Sequence, residues 1–407
     1  MSDLLSSAWP VGLRLGGAFL QLLVTVLIGR TLGAEAAGIY FFWAALMLEA
    51  GQVATFGLDR ITVQSLPRVK GGREAESRFL GGIRMTTFLI SLAASAGVIA
   101  YALMTRDTQA LPGWWLVMIP ACVCGVTMCM INQEGTTALG RPILAVLYRH
   151  TFPTVIVLIG VVLLGAHLTP EVGLAVYAFA FFLTGFGALF GPGLFRLRPA
   201  FAWPGLATFR EHFKKGGPVF LASLFAALAL MFPLALLEQT HPSDEVAWMT
   251  TAFRIFVLLD VLAKAVYSVI LPDLSRAAEA MNRGALVSIY RSSILKGMVL
   301  LGVPILVLFF LSPLVMEMFG EGFSGGTPVL QALLVSGLVS LLLGPAHQLL
   351  LMVGKTRSMA FFSGIYFAIV GLLAWFFVPE YGAFALAIVL AIVLAIVLAI
   401  VLAIVLA

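Results

Sequence analysis

The chain has 407 residues, 61% hydrophobic and 11% charged, with a mean hydropathy of +1.07. A water-facing domain carries about 25% charged residues and 45–50% apolar ones, so the composition excludes a secreted, cytosolic or disordered protein. The apolar residues come in blocks of about twenty, the length a helix needs to cross roughly 30 Å of hydrocarbon, and a polytopic, all-α membrane protein is expected.

Hydropathy predicts twelve membrane helices in chain order. In the first half they cover about residues 8–29, 38–58, 82–104, 114–139, 151–168 and 172–194. In the second half they cover about 217–237, 246–271, 294–312, 327–352, 358–378 and 382–407. The start, Met-Ser-Asp-Leu-Leu, lacks a basic leader and runs into a full-length block, so it reads as a first membrane helix, not a cleaved signal. Cys122, Cys124 and Cys129 all fall in the fourth block, where free thiols behave as small hydrophobes. From Leu386 to Ala407 the chain repeats Leu-Ala-Ile-Val. At 100° per residue that period turns each residue type around the helix, so no face is distinguished and a lipid-soluble anchor is expected.

Charge tests the count. With the N-terminus in the cytoplasm, the even connections carry nineteen of the 24 basic residues, among them Arg60, Arg68, Lys70, Arg84, Arg149, Arg210, Lys214 and Lys215. The odd connections hold Arg30 and Arg106 beside acidic residues such as Glu35, Asp244, Glu245 and Glu380. This is the positive-inside asymmetry. It places both termini in the cytoplasm and accounts for the net charge of +5 and the pI near 9.2 without a nucleic-acid partner.

Two blocks of six then resemble each other. Gln133 precedes Gly140-Arg141 after the fourth helix, as Gln348 precedes Gly354-Lys355 after the tenth. Glu49 and Asp260 sit mid-way along the second and eighth helices, each followed by a proline, Pro67 and Pro272. Six is even, so the halves read as parallel repeats flanking a central cleft. The basic linker near 195–216 separates an N-terminal six-helix bundle, 1–205, from a C-terminal one, 206–407.

Soluble-enzyme signatures are absent: no His-Glu-x-x-His, paired-Cys zinc pattern or Gly-x-Ser-x-Gly occurs, and Leu349 stands where a phosphate loop before Gly354-Lys355-Thr356 needs glycine. Neither catalytic residues, metal ligands nor a cofactor are expected, and no domain is long enough to bind ATP. The informative residues are ionisable groups inside the spans, each costing about 2.5–3.5 kcal/mol at a helix centre. Arg14, between Gly12 and Gly16, either snorkels to the surface or meets a ligand. Arg254 either joins Asp260 and Lys264 in a structural ion network or, having no opposite charge at helical spacing, marks a water-filled cavity or an anionic ligand; its bidentate donors suit phosphate. Asp260 and Lys264, four apart, can pair. Arg14, Arg254 and Lys264 are the candidate substrate-binding cations, and Glu49, Glu134 and Asp260 the candidate ion-coupling carboxylates. For Glu49 and Glu134 an inter-helix hydrogen bond is the competing role.

Five segments then resemble the polysaccharide-flippase branch, the O-antigen and exopolysaccharide flippases, of the multidrug/oligosaccharidyl-lipid/polysaccharide exporter superfamily. They are Gly29-Arg30-Thr31-Leu32-Gly33 with Gly38-Ile39-Tyr40, Gly57-Leu58-Asp59-Arg60, Leu271-Pro272-Asp273-Leu274-Ser275-Arg276, and Val378-Pro379-Glu380-Tyr381-Gly382. The likeness spans about residues 5–385. It implies a V-shaped pair of six-helix bundles, alternating access, and an undecaprenyl-pyrophosphate-linked oligosaccharide carried to the outer leaflet of a bacterial inner membrane. It also implies glycan polymerase and assembly proteins as partners alongside membrane lipid. Relatives that flip the peptidoglycan lipid precursor use cations in the first and eighth helices, where Arg14 and Arg254 lie here, yet they typically have fourteen spans. An ion-coupled multidrug exporter is the alternative, and it would make Glu49, Asp260 and Glu134 central; a scaffold for glycan-assembly enzymes is a third.

Overall fold

The computed structural model describes residues 2–105, 113–191, 201–268, 283–343 and 356–406. Among these residues every regular element is helical. In chain order they are α1 (Ser2–Val53), α2 (Leu58–Ser65), α3 (Gly72–Met104), α4 (Trp115–Ala138), α5 (Pro142–Val146), α6 (Phe152–Leu164) and α7 (Pro170–Gly187). Then follow α8 (Gly205–Thr240), α9 (Ser243–Ser268), α10 (Arg283–Gly297), α11 (Val303–Glu317), α12 (Thr327–Leu343) and α13 (Thr356–Leu406).

Among the described residues nine helices are long and apolar enough to cross a membrane, and the chain is a multi-pass membrane protein. Two of the nine, Gly16–Val53 and Ala360–Ile396, each cover two of the predicted blocks. Glycine breaks them. Gly33 takes φ 76, ψ 170 within α1, and Gly382 takes φ 60, ψ −144 within α13, conformations in which a Cβ would clash. Helix α9, outside the nine, lies on the predicted eighth block.

Proline shapes the fifth crossing. It starts at Pro142, earlier than hydropathy suggests, and α5 joins α6 through a π turn at Leu147–Thr151. Pro153 just beyond has no N–H for the α-helical ladder, so the backbone widens there. Pro304 follows a second π turn, Met298–Gly302, between α10 and α11 in the same way.

The chain forms two compact units, and neither is one continuous segment. The first comprises Met1–Val24 and Trp43–Ala227, the second Thr25–Phe42 and Leu228–Ala407. In the first unit α4 is central, packed against α3, α2 and α7. Small residues permit this: a Cβ on Gly125 would lie 2.6 Å from the Phe181 carbonyl carbon, and one on Gly185 would lie 2.4 Å from the Gly125 oxygen. Lipid is as apolar as a leucine side chain, so helices in a bilayer associate through such close packing and through interhelical hydrogen bonds. One such bond joins the Thr127 hydroxyl to the Gly51 carbonyl at 2.9 Å. A core of Leu58, Leu80, Ile83, Ile131, Tyr148 and Ala188 closes one part of this unit.

In the second unit α12 holds the centre, against α13, α9 and α11. The first part of the repetitive end packs into protein: Leu386, Ala387, Val389, Leu390 and Val393 are buried, while Ile392 and Ile396 are exposed.

Candidate functional site

A polar cluster is built into the first unit. Helix α1 brings Glu49 and Gln52 onto neighbouring turns, and the Gln52 amide donates to Glu49 Oε1 at 3.0 Å. The π turn after α5 swings Arg149 toward them, and its Nη2 donates to Gln52 Oε1 at 3.3 Å. Beyond Val53 the chain turns through Phe56 (φ 54) and Gly57 (φ 72) into α2, where Asp59 Oδ1 accepts from the Thr55 hydroxyl at 3.4 Å. From α4, the Gln133 amide donates to Glu134 Oε1 at 3.0 Å. The Arg149 guanidinium interacts electrostatically with Glu134, Asp59 and Glu49. Arg149 is thus linked to Glu49 through Gln52 and feels the charges of Glu134 and Asp59.

Arg254 sits in the second unit on α9. Its Nη1 donates to the Thr25 hydroxyl, and its guanidinium carbon lies 4.5 Å from the centroid of the Phe41 ring. Both partners belong to the 25–42 segment, and both are fully buried. The absence of a charge at helical spacing is therefore met by partners remote in sequence, a hydroxyl and a ring face. Arg30 ties the same segment again, its Nε donating to the Met318 carbonyl at 2.8 Å.

The six candidate residues divide accordingly. Glu49 and Glu134 come together around Arg149. Arg254 is in the other unit. Arg14 is on α1, and Asp260 and Lys264 are on α9, but these three side chains lie outside the described residues.

Sequence reasoning missed two arginines by placing them in connections. Arg84 lies inside α3, which begins at Gly72 and not near residue 82, and it is only 1% exposed. Its Nε donates to Asn132 Oδ1 at 3.0 Å, and Asn132 donates to the Gly185 carbonyl at 2.7 Å, so one network joins α3, α4 and α7. Arg149 is drawn in by the π turn. The signals available were the Gly71-Gly72 helix start and Pro153, which marks a crossing already under way. Among the described residues no group of three or more His, Cys, Asp or Glu side chains could hold a metal ion.

The chain shares its fold with solved transporters of the MOP superfamily. An inward-facing multidrug-resistance MATE family transporter matches at 14% identity, over 97% of this chain and 96% of that one, with a TM-score of 0.68. The lipid II flippase MurJ, in an inward closed conformation, matches at 15% identity over 97% and 86%, with a TM-score of 0.77. A MOP superfamily transporter from Pyrococcus furiosus, described as having a binding pocket of reverse polarity, matches at 16% over 97% and 92%, with a TM-score of 0.60. No curated protein matches the chain by sequence. The polysaccharide biosynthesis protein family matches residues 6–278, and the chain belongs to that family.

Proposed function

We propose that the protein is a flippase that moves a polyprenyl-pyrophosphate-linked oligosaccharide from the cytoplasmic to the outer leaflet of a bacterial inner membrane, for cell-surface polysaccharide such as O-antigen or exopolysaccharide. The observation that carries this reading is membership of the polysaccharide biosynthesis family on a fold shared with a lipid flippase. Twelve crossings complete the proposal, arranged as two six-helix bundles, 1–205 and 206–407, in parallel repeat, with both termini cytoplasmic. The protein performs no covalent chemistry in this reading.

The physics follows from the cargo. A glycan head loses its hydrogen bonds to water in hydrocarbon, whereas a polyprenyl tail needs no shelter. Arg14, Arg254 and Lys264 are the proposed cations for the pyrophosphate during an alternating-access cycle. Outward movement of negative charge across an inside-negative membrane gains about 2.3 kcal/mol per charge per 100 mV. Two charges on the pyrophosphate then bias transport without ATP.

A second reading, an ion-coupled multidrug exporter, is favoured by one observation, the three carboxylates whose charges Arg149 feels. The test that separates them is transport in sealed proteoliposomes. A fluorescent polyprenyl-pyrophosphate glycan should become accessible at the opposite leaflet, faster under an imposed potential and slower in Arg254→Ala. Export of an organic cation on a proton gradient, with no glycan movement, would replace the flippase reading with the alternative. A peptidoglycan lipid precursor, offered in competition, distinguishes the remaining related cargo.

A further inference from the structure

The second unit holds an ionisable pair away from the charges discussed so far, at the turn between α8 and α9. Helix α8 ends at Thr240, and Pro242 separates His241 from the start of α9 at Ser243. The two ring nitrogens of His241 each meet an oxygen. Nδ1 lies 3.2 Å from Glu245 Oε1, and Nε2 lies 2.9 Å from the backbone oxygen of Val378. The other Glu245 oxygen, Oε2, accepts the Ala383 N–H at 2.7 Å. Ala383 directly follows Gly382, where α13 breaks. One carboxylate and one imidazole therefore fasten the α8–α9 turn to both sides of that break.

Hydrogen-bond chemistry decides the protonation of this group. A backbone carbonyl only accepts, so Nε2 must carry a hydrogen. A neutral ring with its proton on Nε2 presents a bare lone pair at Nδ1. Opposite an ionised carboxylate that lone pair is repelled. The contact becomes attractive only when one more proton is present, on Nδ1 as imidazolium or on Oε1 as a carboxylic acid. Either arrangement holds one proton more than a neutral imidazole beside a carboxylate.

We propose that His241 and Glu245 form a proton-binding site that latches the α8–α9 turn to the break in α13. The titratable groups these elements bring to the region are Glu238 on α8, Asp244 and Glu245 on α9, and Glu380 and Tyr381 on α13, and Glu245 lies against the ring. Asp244 Oδ1 accepts the backbone N–H of Glu245 at 2.9 Å, which steadies the start of α9. His241 and Glu245 are partly exposed, so protons reach them from water. Both linked turns are odd connections in the proposed topology, so the site reads the outer compartment. The latch closes when the pair holds that extra proton and loosens when the proton leaves.

The test is hydrogen exchange by mass spectrometry on the full-length protein in nanodiscs, at several pH values from 5 to 9 and corrected for intrinsic exchange. Peptides covering residues 376–386 should lose protection about tenfold or more between the acid and alkaline ends, while peptides from α4 stay constant. His241→Gln should remove this pH dependence. Unchanged protection across the range in the wild type, or the same pH dependence in His241→Gln, overturns the proposal. Should the variant fail to fold, nitrogen NMR of histidine-labelled wild type decides instead. A neutral His241 ring bearing its proton on Nδ1 alone at every pH overturns the site, and proton uptake by the pair on acidification supports it.

Discussion

Gly38→Ala isolates what holds the 25–42 segment in the second unit. A Cβ at position 38 would stand 1.7 Å from the Ser243 carbonyl oxygen and 2.6 Å from its carbon, whereas ordinary contact begins at 3.4 Å. Both obstacles are backbone atoms, so no side-chain rotation relieves the clash. The segment must move away by roughly the difference between 1.7 and 3.4 Å at this point. A gap of only about 0.5–1 Å already forfeits a quarter to a half of dispersion attraction at a contact. Overpacking of this kind costs about 1–3 kcal/mol, which shifts a packed-versus-released equilibrium by about 5–150-fold. Hydrogen exchange over residues 25–42 should therefore quicken by that factor. Gly97→Ala is the control, because a Cβ there meets nothing within 4 Å. Equal exchange in Gly38→Ala and the control would refute the reasoning, since it would mean that the Gly38–Ser243 approach does not hold the segment.

Three further outcomes follow from the same geometry. Gly125→Leu should lower the thermal unfolding midpoint by several degrees while Gly97→Leu leaves it nearly unchanged, because the first pushes α4 off the backbone of α7 and the second faces open space. Arg84→Leu should destabilise the first unit by about 1–3 kcal/mol by removing the donor to Asn132 Oδ1, and Arg84→Leu with Asn132→Leu should cost less than the sum of the two single changes, as read by denaturant titration. Neutralising both Glu49 and Glu134 to glutamine should abolish any proton movement coupled to transport, measured with a pH dye inside proteoliposomes, without unfolding the protein. Undiminished proton movement would remove these carboxylates from a coupling role.

How much of this was legible beforehand depends on the range of the interaction. Block length and hydropathy are local, so the presence of many apolar helices was legible from the sequence pattern, and Gly33 and Gly382 stand where the predicted first and eleventh spans give way to the next. The candidates Glu49 and Glu134 were also legible, because a carboxylate inside an apolar run is costly wherever the chain folds. Their counter-ion was not. Arg149 looks like one more cation of a basic connection, and only the π turn ahead of Pro153 carries it into the cluster. Arg84 was hidden for a related reason: hydropathy marks the apolar stretch of a helix, whereas α3 extends well before it.

The sequence by itself determined that the chain crosses a membrane repeatedly as helices, because unpaired backbone groups cannot remain in hydrocarbon and long apolar runs must satisfy them internally. It also marked which buried charges needed an explanation. The tertiary structure decided the partners. Thr25 and Phe41 reach Arg254 across more than two hundred residues of chain, and Val378 and Ala383 meet His241 and Glu245 from the far end of the molecule. Periodicity along one helix sets only which side chains share a face, and such pairings depend on which helices pack together. The repetitive last helix shows the same division: its pattern singles out no face, and packing against the second unit alone selects the residues that are buried.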